Sequence, residues 1–409
     1  MGKASFRVLA GLAILGLVAT SWGMVERLLH GLNPVAFGSY VPWGLWVAFY
    51  LFFLGLSAGA FLVTILAYVF EWKRFEALAP LSAFVVLVSL VCELLFITLD
   101  LGRFERIYRF VLTPNPQSLM FWMFVLVNAM GAIYTLKTYL LIRGRIIAWA
   151  ADETRGGRWL YRLLALGATE YGHDQHEADH RRIHRLSLVS LPVGLLFYGA
   201  NGAFFAILMN RPIWNSALTP LLFIVAALLS GGALITFLSY AFKRDEQLIT
   251  TLGRIILYLL LLFIFLEGLQ FFVGYQTGLK NVVAALNLVG SGPYWWTFWI
   301  VHLLIGSLIP ILLLLARGQD AKTVAWACLL IVATFLAVRF DFIIPDLAVY
   351  KLEGLEKAFV HPRLSTAYTP NLNEWLVSIW VVSLGVLLFA LGARYLPVVD
   401  GQEEGEQHA

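Results

Sequence analysis

An all-α, polytopic membrane protein of about ten transmembrane helices is the fold this sequence predicts, on three observations. Hydrophobic residues make up 60% of the 409 and charged residues only 13%, more apolar surface than a soluble core can use. The apolar residues come in continuous runs, not in the alternation of a membrane strand, which excludes a β-barrel. The runs also reach the ~20 residues needed to cross the hydrocarbon layer.

In chain order the runs are 6–25, 40–70, 78–101, 119–142, 186–209, 217–242, 255–277, 294–316, 324–344 and 375–395. The first follows Lys3 and Arg7 but lacks a good small-residue cleavage site, so it reads as a retained helix and not a signal peptide. The second opens with GSYVPWGLW, which sets Tyr40, Trp43 and Trp46 where an interfacial aromatic belt is expected. The third ends in Asp100, and the loop to Trp122 holds five charges and a Pro-Asn-Pro turn. The fourth and fifth are joined by 143–185, the longest loop, with eight arginines. Lys and Arg are in excess on the side that holds both ends of the chain, which should therefore be cytoplasmic. Arg103, Arg106 and Arg109 then lie on the outer side, a basic patch against the charge rule.

An internal repeat relates the two halves. An offset of 172 residues sets AGAFLVTILAYVF (58–70) against SGGALITFLSYAF (230–242), matching Gly59 with Gly231, Thr64 with Thr236 and Tyr68 with Tyr240. At an offset of 174, Glu93 falls on Glu267, Trp122 on Trp296, Phe124 on Phe298 and Asn128 on His302. The related runs lie four spans apart and so share an orientation, which implies a pseudo-twofold axis along the membrane normal. The expected organisation is a first helix and outer loop (1–39), a four-helix bundle (40–209), a second bundle (210–345), and an outer loop, last helix and acidic tail (346–409).

Chemistry is expected at the polar residues inside the spans, since a charge at the bilayer centre costs roughly 2.5–3.5 kcal/mol. Glu93 and Glu267 lie near mid-membrane; Asn128, Asn201 and His302 are nearer the outer face; Asp100, Gln270, Arg339 and Asp341 are close to it. Glu93, Asp100, Glu267, His302, Arg339 and Asp341 are candidates for proton transfer. Each can also serve only to hold helices together, and Arg339 and Asp341 can pair with each other or with neighbours. Tyr40, Trp43, Trp46, Tyr50, Asp100, Arg103 and Trp122 belong to one repeat and one face, and with Asn128 they are the candidates for a quinone site. Aromatic walls, a proton donor or acceptor and an opening to lipid are what a flat quinone ring needs.

Cys92 and Cys328 both fall inside spans with no paired spacing, so no iron-sulfur or zinc site of the Cys-x-x-Cys type is expected. A haem would need pairs of buried histidines, and His302 is the only one well inside a span. No haem, cluster or resident metal is therefore expected. In the cytoplasmic segment HDQHEADHRRIH, helical spacing puts His176, His180 and His184 on one face, with His173 nearby. Such a set can bind a transition metal, but a run this rich in Arg, Asp and Glu more often forms a solvated interfacial helix.

Asp100-Leu-Gly-Arg103, then Pro114-Asn-Pro116-x-Ser118 and Trp122, resembles the signature loop of the NrfD/PsrC family, the quinone-interacting membrane subunits of respiratory complexes. The run 39–61, SYVPWGLWVAFYLFFLGLSAGAF, is similar to the same family's preceding helix, most closely in the ten-helix HybB/DsrP-like branch. Phe104 stands where the family usually has Pro, and Tyr50 where some relatives place a histidine. The resemblance implies an anchor in a bacterial or archaeal cytoplasmic membrane that exchanges electrons between menaquinone or ubiquinone and an extracytoplasmic ferredoxin-like iron-sulfur subunit. Arg103, Arg106 and Arg109 would then dock that partner's acidic surface. No nucleic-acid partner is implied. The alternative is a secondary transporter with a substrate site between parallel repeats, although no clearly broken helices stand at matching positions.

Overall fold

The computed structural model describes residues 2–399 apart from 155, 212, 353, 359, 360, 362 and 363, so the acidic tail lies outside the described residues. Among the described residues, ten helices are long and apolar enough to cross a membrane. They are α1 (Lys3–His30), α2 (Leu45–Tyr68), α3 (Ala79–Asp100), α4 (Leu119–Ala151) and α5 (His173–Ala206). The second half adds α6 (Leu218–Ala241), α7 (Glu246–Gln276), α8 (Thr297–Arg317), α9 (Ala321–Leu347) and α10 (Leu372–Tyr395). All ten expected spans are present, with ends shifted by up to thirteen residues.

The largest shifts have one cause. A helix that carries its own backbone hydrogen bonds does not stop at the hydrocarbon edge. α4 therefore runs to Ala151 and α5 starts at His173, so 143–151 and 173–185 extend the membrane helices, with a short helix Arg158–Leu164 between them. The histidine-rich segment forms the first turns of α5. Its ordered face packs on aromatic residues: His184 Nδ1 lies 2.7 Å from the Tyr68 carbonyl oxygen, the His180 ring lies 5.7 Å from that of Tyr68, and the His176 ring 6.3 Å from that of Tyr171.

Helix neighbours fall into two matching sets. In the first, α2 touches α3, α3 touches α4, α4 touches α5, and α5 returns to α2; α6, α7, α8 and α9 close a ring in the same order. Between the sets α2 packs on α6, α5 on α6 and α9 on α2, as a twofold relation requires. We propose that these sets are the units of the sequence repeat, with the boundaries given above. α1 and α10 pair with each other, and α10 lies against α3.

The closest approach is at Gly59 and Gly231, residues the repeat makes equivalent. A Cβ on Gly59 would lie 1.8 Å from Gly232 N and 2.0 Å from the Gly231 carbonyl carbon, while one on Gly231 would lie 2.5 Å from Gly59 N. Backbone meets backbone, the use of small residues that packing in lipid favours. Around this contact α2 is buried on all sides, as a central helix must be, and its residues are mostly apolar. α1, by contrast, leaves Val8, Leu12, Leu15 and Val18 exposed, a face suited to lipid.

The crossing predicts a sharp positional effect. Gly59→Leu is expected to prevent recovery of monodisperse protein on size exclusion after detergent extraction, since no flexible side chain can move aside. Gly11→Ala, with no atom within 4 Å of the added carbon, should leave the melting midpoint unchanged.

Candidate functional site

At the end of the first set opposite the two chain ends, called outer for the orientation expected from the charges, four elements meet on buried charge. α3 ends with carbonyl groups that have no helical partner. Arg27, fully buried in the last turn of α1, donates from Nε to Leu99 O and from Nη2 to Leu101 O, both at 2.7 Å. Its guanidinium lies 5.9 Å from the Trp46 ring and 5.5 Å from that of Phe104, so the non-proline residue after the DLGR motif stacks on a cation. From the other side, Asn371 caps α10 in a capping box with Glu374. Glu374 accepts from Ala36 N at 2.8 Å and from the Tyr368 hydroxyl, which itself accepts from Leu45 N at 2.7 Å. Trp46 Nε1 donates to the Glu374 carbonyl oxygen at 3.1 Å. Burial, then the Glu374 carboxylate, hold the Tyr368 phenol well above its usual pKa, so it remains a donor at neutral pH. Asp100 lies within electrostatic reach of Arg27 and Glu374. Its Oδ1 and Arg27 Nη1 are buried without hydrogen-bond partners.

Below this cluster α2 carries Tyr50, Ser57 and Thr64 seven residues apart, hence on one face at two-turn intervals. Each meets a polar side chain of α4 or α5. Tyr50 donates to Asn201 Oδ1; Ser57 Oγ lies 3.1 Å from the Tyr198 hydroxyl; Thr64 Oγ1 lies 2.7 Å from the Tyr134 hydroxyl. Lys137 ends the row, fully buried, donating to Thr64 Oγ1 at 3.0 Å with its ammonium 4.9 Å from the Tyr134 ring. Glu93, 2% exposed, is within electrostatic reach of Tyr50 and Tyr198, and its Oε2 has no hydrogen-bond partner. At 1.5 Å per residue, the fourteen residues from Tyr50 to Thr64 span about 21 Å, most of the hydrocarbon layer.

In the second set, Glu267, Arg339 and Asp341 line a cavity of about 60 Å³ together with Gln270, Asp346 and the stacked rings of Phe271 and Phe298. That space suits a few waters between polar partners. His302 Nε2 lies 3.4 Å from Glu267 Oε2, near enough for an ion pair yet without hydrogen-bond alignment. The residues around His302 (Thr297–Leu308) form a π-helix at the start of α8, a departure that often marks a functional site. Of the two pairings expected for Arg339 and Asp341, with each other or with neighbours, the structure shows neighbours. Asp341 accepts from Thr297 Oγ1 at 2.6 Å, and Arg339 lies 5.3 Å from the Phe223 ring and 5.2 Å from that of Phe335. Residues two apart on a helix point to different sides.

The other expected site residues divide. Trp43 stacks on Trp214 with ring centroids 5.9 Å apart, and Tyr40 meets the edge of Tyr350 at 5.5 Å. Trp122 and Asn128 are exposed on α4 and bonded locally, Trp122 Nε1 to Pro116 O at 2.8 Å and Asn128 Nδ2 to Phe124 O at 2.7 Å. The structure does not bring these two to Tyr50 or Asp100. Arg103, Arg106 and Arg109 are exposed on the outer loop. Lys137, Tyr134, Tyr198, Arg27 and Glu374 were not among the residues expected from sequence. Lys137 was discoverable as a cation inside the fourth span, and the heptad spacing of Tyr50, Ser57 and Thr64 was also visible. The Asn371-x-x-Glu374 spacing is a local capping signal, whereas the partners of Arg27 and the contacts of Glu374 with Ala36 and Trp46 come from distant segments.

Comparison with known proteins gives this geometry its family. The model of the polysulphide reductase NrfD family matches residues 35–350, most of the chain. The chain belongs to the NrfD family. Among similar proteins, a selenate reductase subunit of Mesobacillus selenatarsenatis is 31% identical, the match covering 99% of this chain and 96% of that protein. The Hdr-like menaquinol oxidoreductase integral membrane subunit of Archaeoglobus fulgidus is 27% identical over 95% of this chain and 93% of its own. The probable Ni/Fe-hydrogenase 2 b-type cytochrome subunit of Escherichia coli is 24% identical over 94% of this chain and 91% of its own. The family match includes α2 to α9 and leaves out α1 and α10, the helices that bring Arg27 and Glu374 to the outer cluster.

In this NrfD-family member the outer cluster has a measurable stake in stability. Tyr368→Phe removes the acceptor of Leu45 N and a donor to Glu374, both buried, and should lower unfolding free energy by about 1–3 kcal/mol in a detergent melt. Tyr40→Phe, at a half-exposed ring, should stay within about 0.5 kcal/mol.

Proposed function

We propose that this multi-pass chain, a membrane subunit of a quinone-linked oxidoreductase complex, binds menaquinone or ubiquinone at the outer end of its first set. It would exchange electrons there with an extracytoplasmic iron-sulfur subunit. The observation that carries the reading is the outer cluster, where Asp100 Oδ1 and Arg27 Nη1 are buried and unpaired, the Arg27 guanidinium lies by the rings of Trp46 and Phe104, and the loop that follows is basic and exposed. The name of the Archaeoglobus relative, a menaquinol oxidoreductase subunit, supports it.

The residues fit the group. A quinone head offers two carbonyl oxygens and a flat apolar ring, which need donors, acceptors and aromatic walls. Bound, it supplies a two-electron, two-proton couple. Arg27 Nη1 is a fixed donor, Asp100 an acceptor or proton carrier, and Trp46, Phe104 and the stacked pair Phe49–Phe96, 5.0 Å apart, give the walls. Trp43, Tyr40 and Arg103 border the same end of the set, while Trp122 and Asn128 stand at its lipid-facing side.

Proton movement is assigned to the first set's polar row and to the second set's cavity. Glu93, with an unpaired Oε2, takes a proton from or gives one to the site, Tyr50 lies within its electrostatic reach and donates to Asn201, and the row to Lys137 continues toward the side that holds the chain ends. Glu267, His302, Arg339 and Asp341 hold a second protonic group around water. Both termini would be cytoplasmic, so Arg103, Arg106 and Arg109 face the partner's acidic surface. A transporter site between the sets is disfavoured, because backbone fills that seam at Gly59 and Gly231.

In membranes holding the intact complex, Asp100→Asn and Glu93→Gln should each cut quinone-dependent electron transfer about 10²-fold with subunit assembly unchanged. Retained activity in both contradicts the reading. Reversing Arg103, Arg106 and Arg109 to Glu should abolish co-purification of the iron-sulfur subunit while the chain itself stays folded, since all three side chains are exposed.

A further inference from the structure

On the face that carries both chain ends, α4 and α5 leave an open groove of about 510 Å³ between them, lined by Leu136, Tyr139, Leu140, Leu186 and Val189 below and by Arg143, Arg182 and Arg185 above. The function proposed above uses none of these residues. Asp179, almost fully buried, organises two of the arginines: Arg143 Nη1 donates to Oδ2 at 3.2 Å and Arg182 Nη1 to Oδ1 at 2.9 Å. One carboxylate against three guanidinium groups leaves the groove with an excess of positive charge. Arg143 Nε is buried with no hydrogen-bond partner. Among the described residues Arg185 and the Tyr139 hydroxyl have no hydrogen-bond or ion-pair partner either, and both border the groove.

The position of the charges identifies the ligand. The apolar run of α4 ends at 142 and that of α5 begins at 186, so the arginines stand at the hydrocarbon edge and the leucines below it. A soluble anion has no use for the apolar floor, and a neutral lipid none for the cations. From the groove an exposed apolar strip continues along α5 through Leu188, Val189, Leu195 and Leu196, long enough for acyl chains. We propose that this groove is a specific site for an anionic glycerophospholipid, with the phosphate on Arg143, Arg182 and Arg185 and the chains on Leu140, Leu186 and Val189. Basic pockets between membrane helices on this side are suited to such head groups.

Native mass spectrometry of the full chain in mild detergent, with phosphatidylglycerol, cardiolipin and phosphatidylcholine added at equal concentration, tests it. Wild type should keep one anionic lipid at activation energies that strip phosphatidylcholine. Arg182→Gln with Arg185→Gln should lower that occupancy about tenfold. Arg181→Gln, one residue away but paired with Glu177, should not. Leu140→Trp, which fills the floor and keeps every charge, should also lose the lipid, and so separates a shaped site from loss of the Asp179 cluster. Equal retention of phosphatidylcholine, unchanged occupancy in the double variant, or an equal loss in Arg181→Gln would each overturn the proposal. So would displacement of the lipid by millimolar inorganic phosphate, which would mark a site for a soluble anion. None of these readouts depends on quinone.

Discussion

The backbone contact between α2 and α6 at Gly59 and Gly231 is the constraint from which the rest of the molecule is arranged. Lipid offers no hydrophobic gain to helices that associate, so close approach and polar contacts must supply it. With no side chain at either position, the two central helices touch at mid-height, and α3, α5, α7, α9 and α10 each pack on one or both of them. α2 becomes the one helix covered on every side. That is why it can carry Trp46, Tyr50, Ser57 and Thr64 inward, where a lipid-facing helix would have to carry leucines. The same seam holds Arg339 of the second set, since a Cβ on Gly55 of α2 would be 3.3 Å from its Nη2.

Buried polar groups in this protein are of two kinds, and the difference separates architecture from chemistry. Glu374 and Tyr368 have filled their hydrogen-bonding capacity with the starts of α2 and α10 and with the chain at Ala36. They fasten the flanking helices to the outer end of the first set. Asp100, Glu93, Arg339 and His302 each keep a buried polar atom without a partner. An unpaired polar group in a low-dielectric interior costs stability, so such groups persist where water, a proton or a ligand completes them. Asp100 and Glu93 belong to the first set, and Arg339 and His302 to the region of the second set's cavity, where Glu267, the repeat counterpart of Glu93, also lies.

The fold was legible because it rests on local patterns. Runs of apolar residues gave all ten helices, and the match of Gly59 with Gly231 anticipated the residues at which the halves meet. Helix ends were less legible, since the 173–185 segment is polar in sequence and yet continues α5 by its own hydrogen bonds. The site was legible only in part. Glu267, His302, Arg339 and Asp341, picked out as intramembrane polar residues, do gather in one region. Trp122, chosen because it shares a face and a repeat with Tyr50, and Asn128, chosen as a polar residue inside a span, are both exposed on α4, because the runs alone do not say which side of the helix its neighbours cover. Arg27 and Glu374 reach the outer cluster from helices at opposite ends of the chain, a meeting that only tertiary structure provides.

Quinone is proposed to bind at the Trp46 and Asp100 end of the first set and not in the cavity of the second. Photo-crosslinking of the intact complex with an azido-quinone, followed by peptide mapping, tests it directly. The account predicts label on peptides from the outer ends of α2 and α3, around Trp46 and Asp100, and its loss when excess unlabelled quinone competes. Competable label confined to α7, α8 and α9, around Glu267 and Asp341, would contradict it.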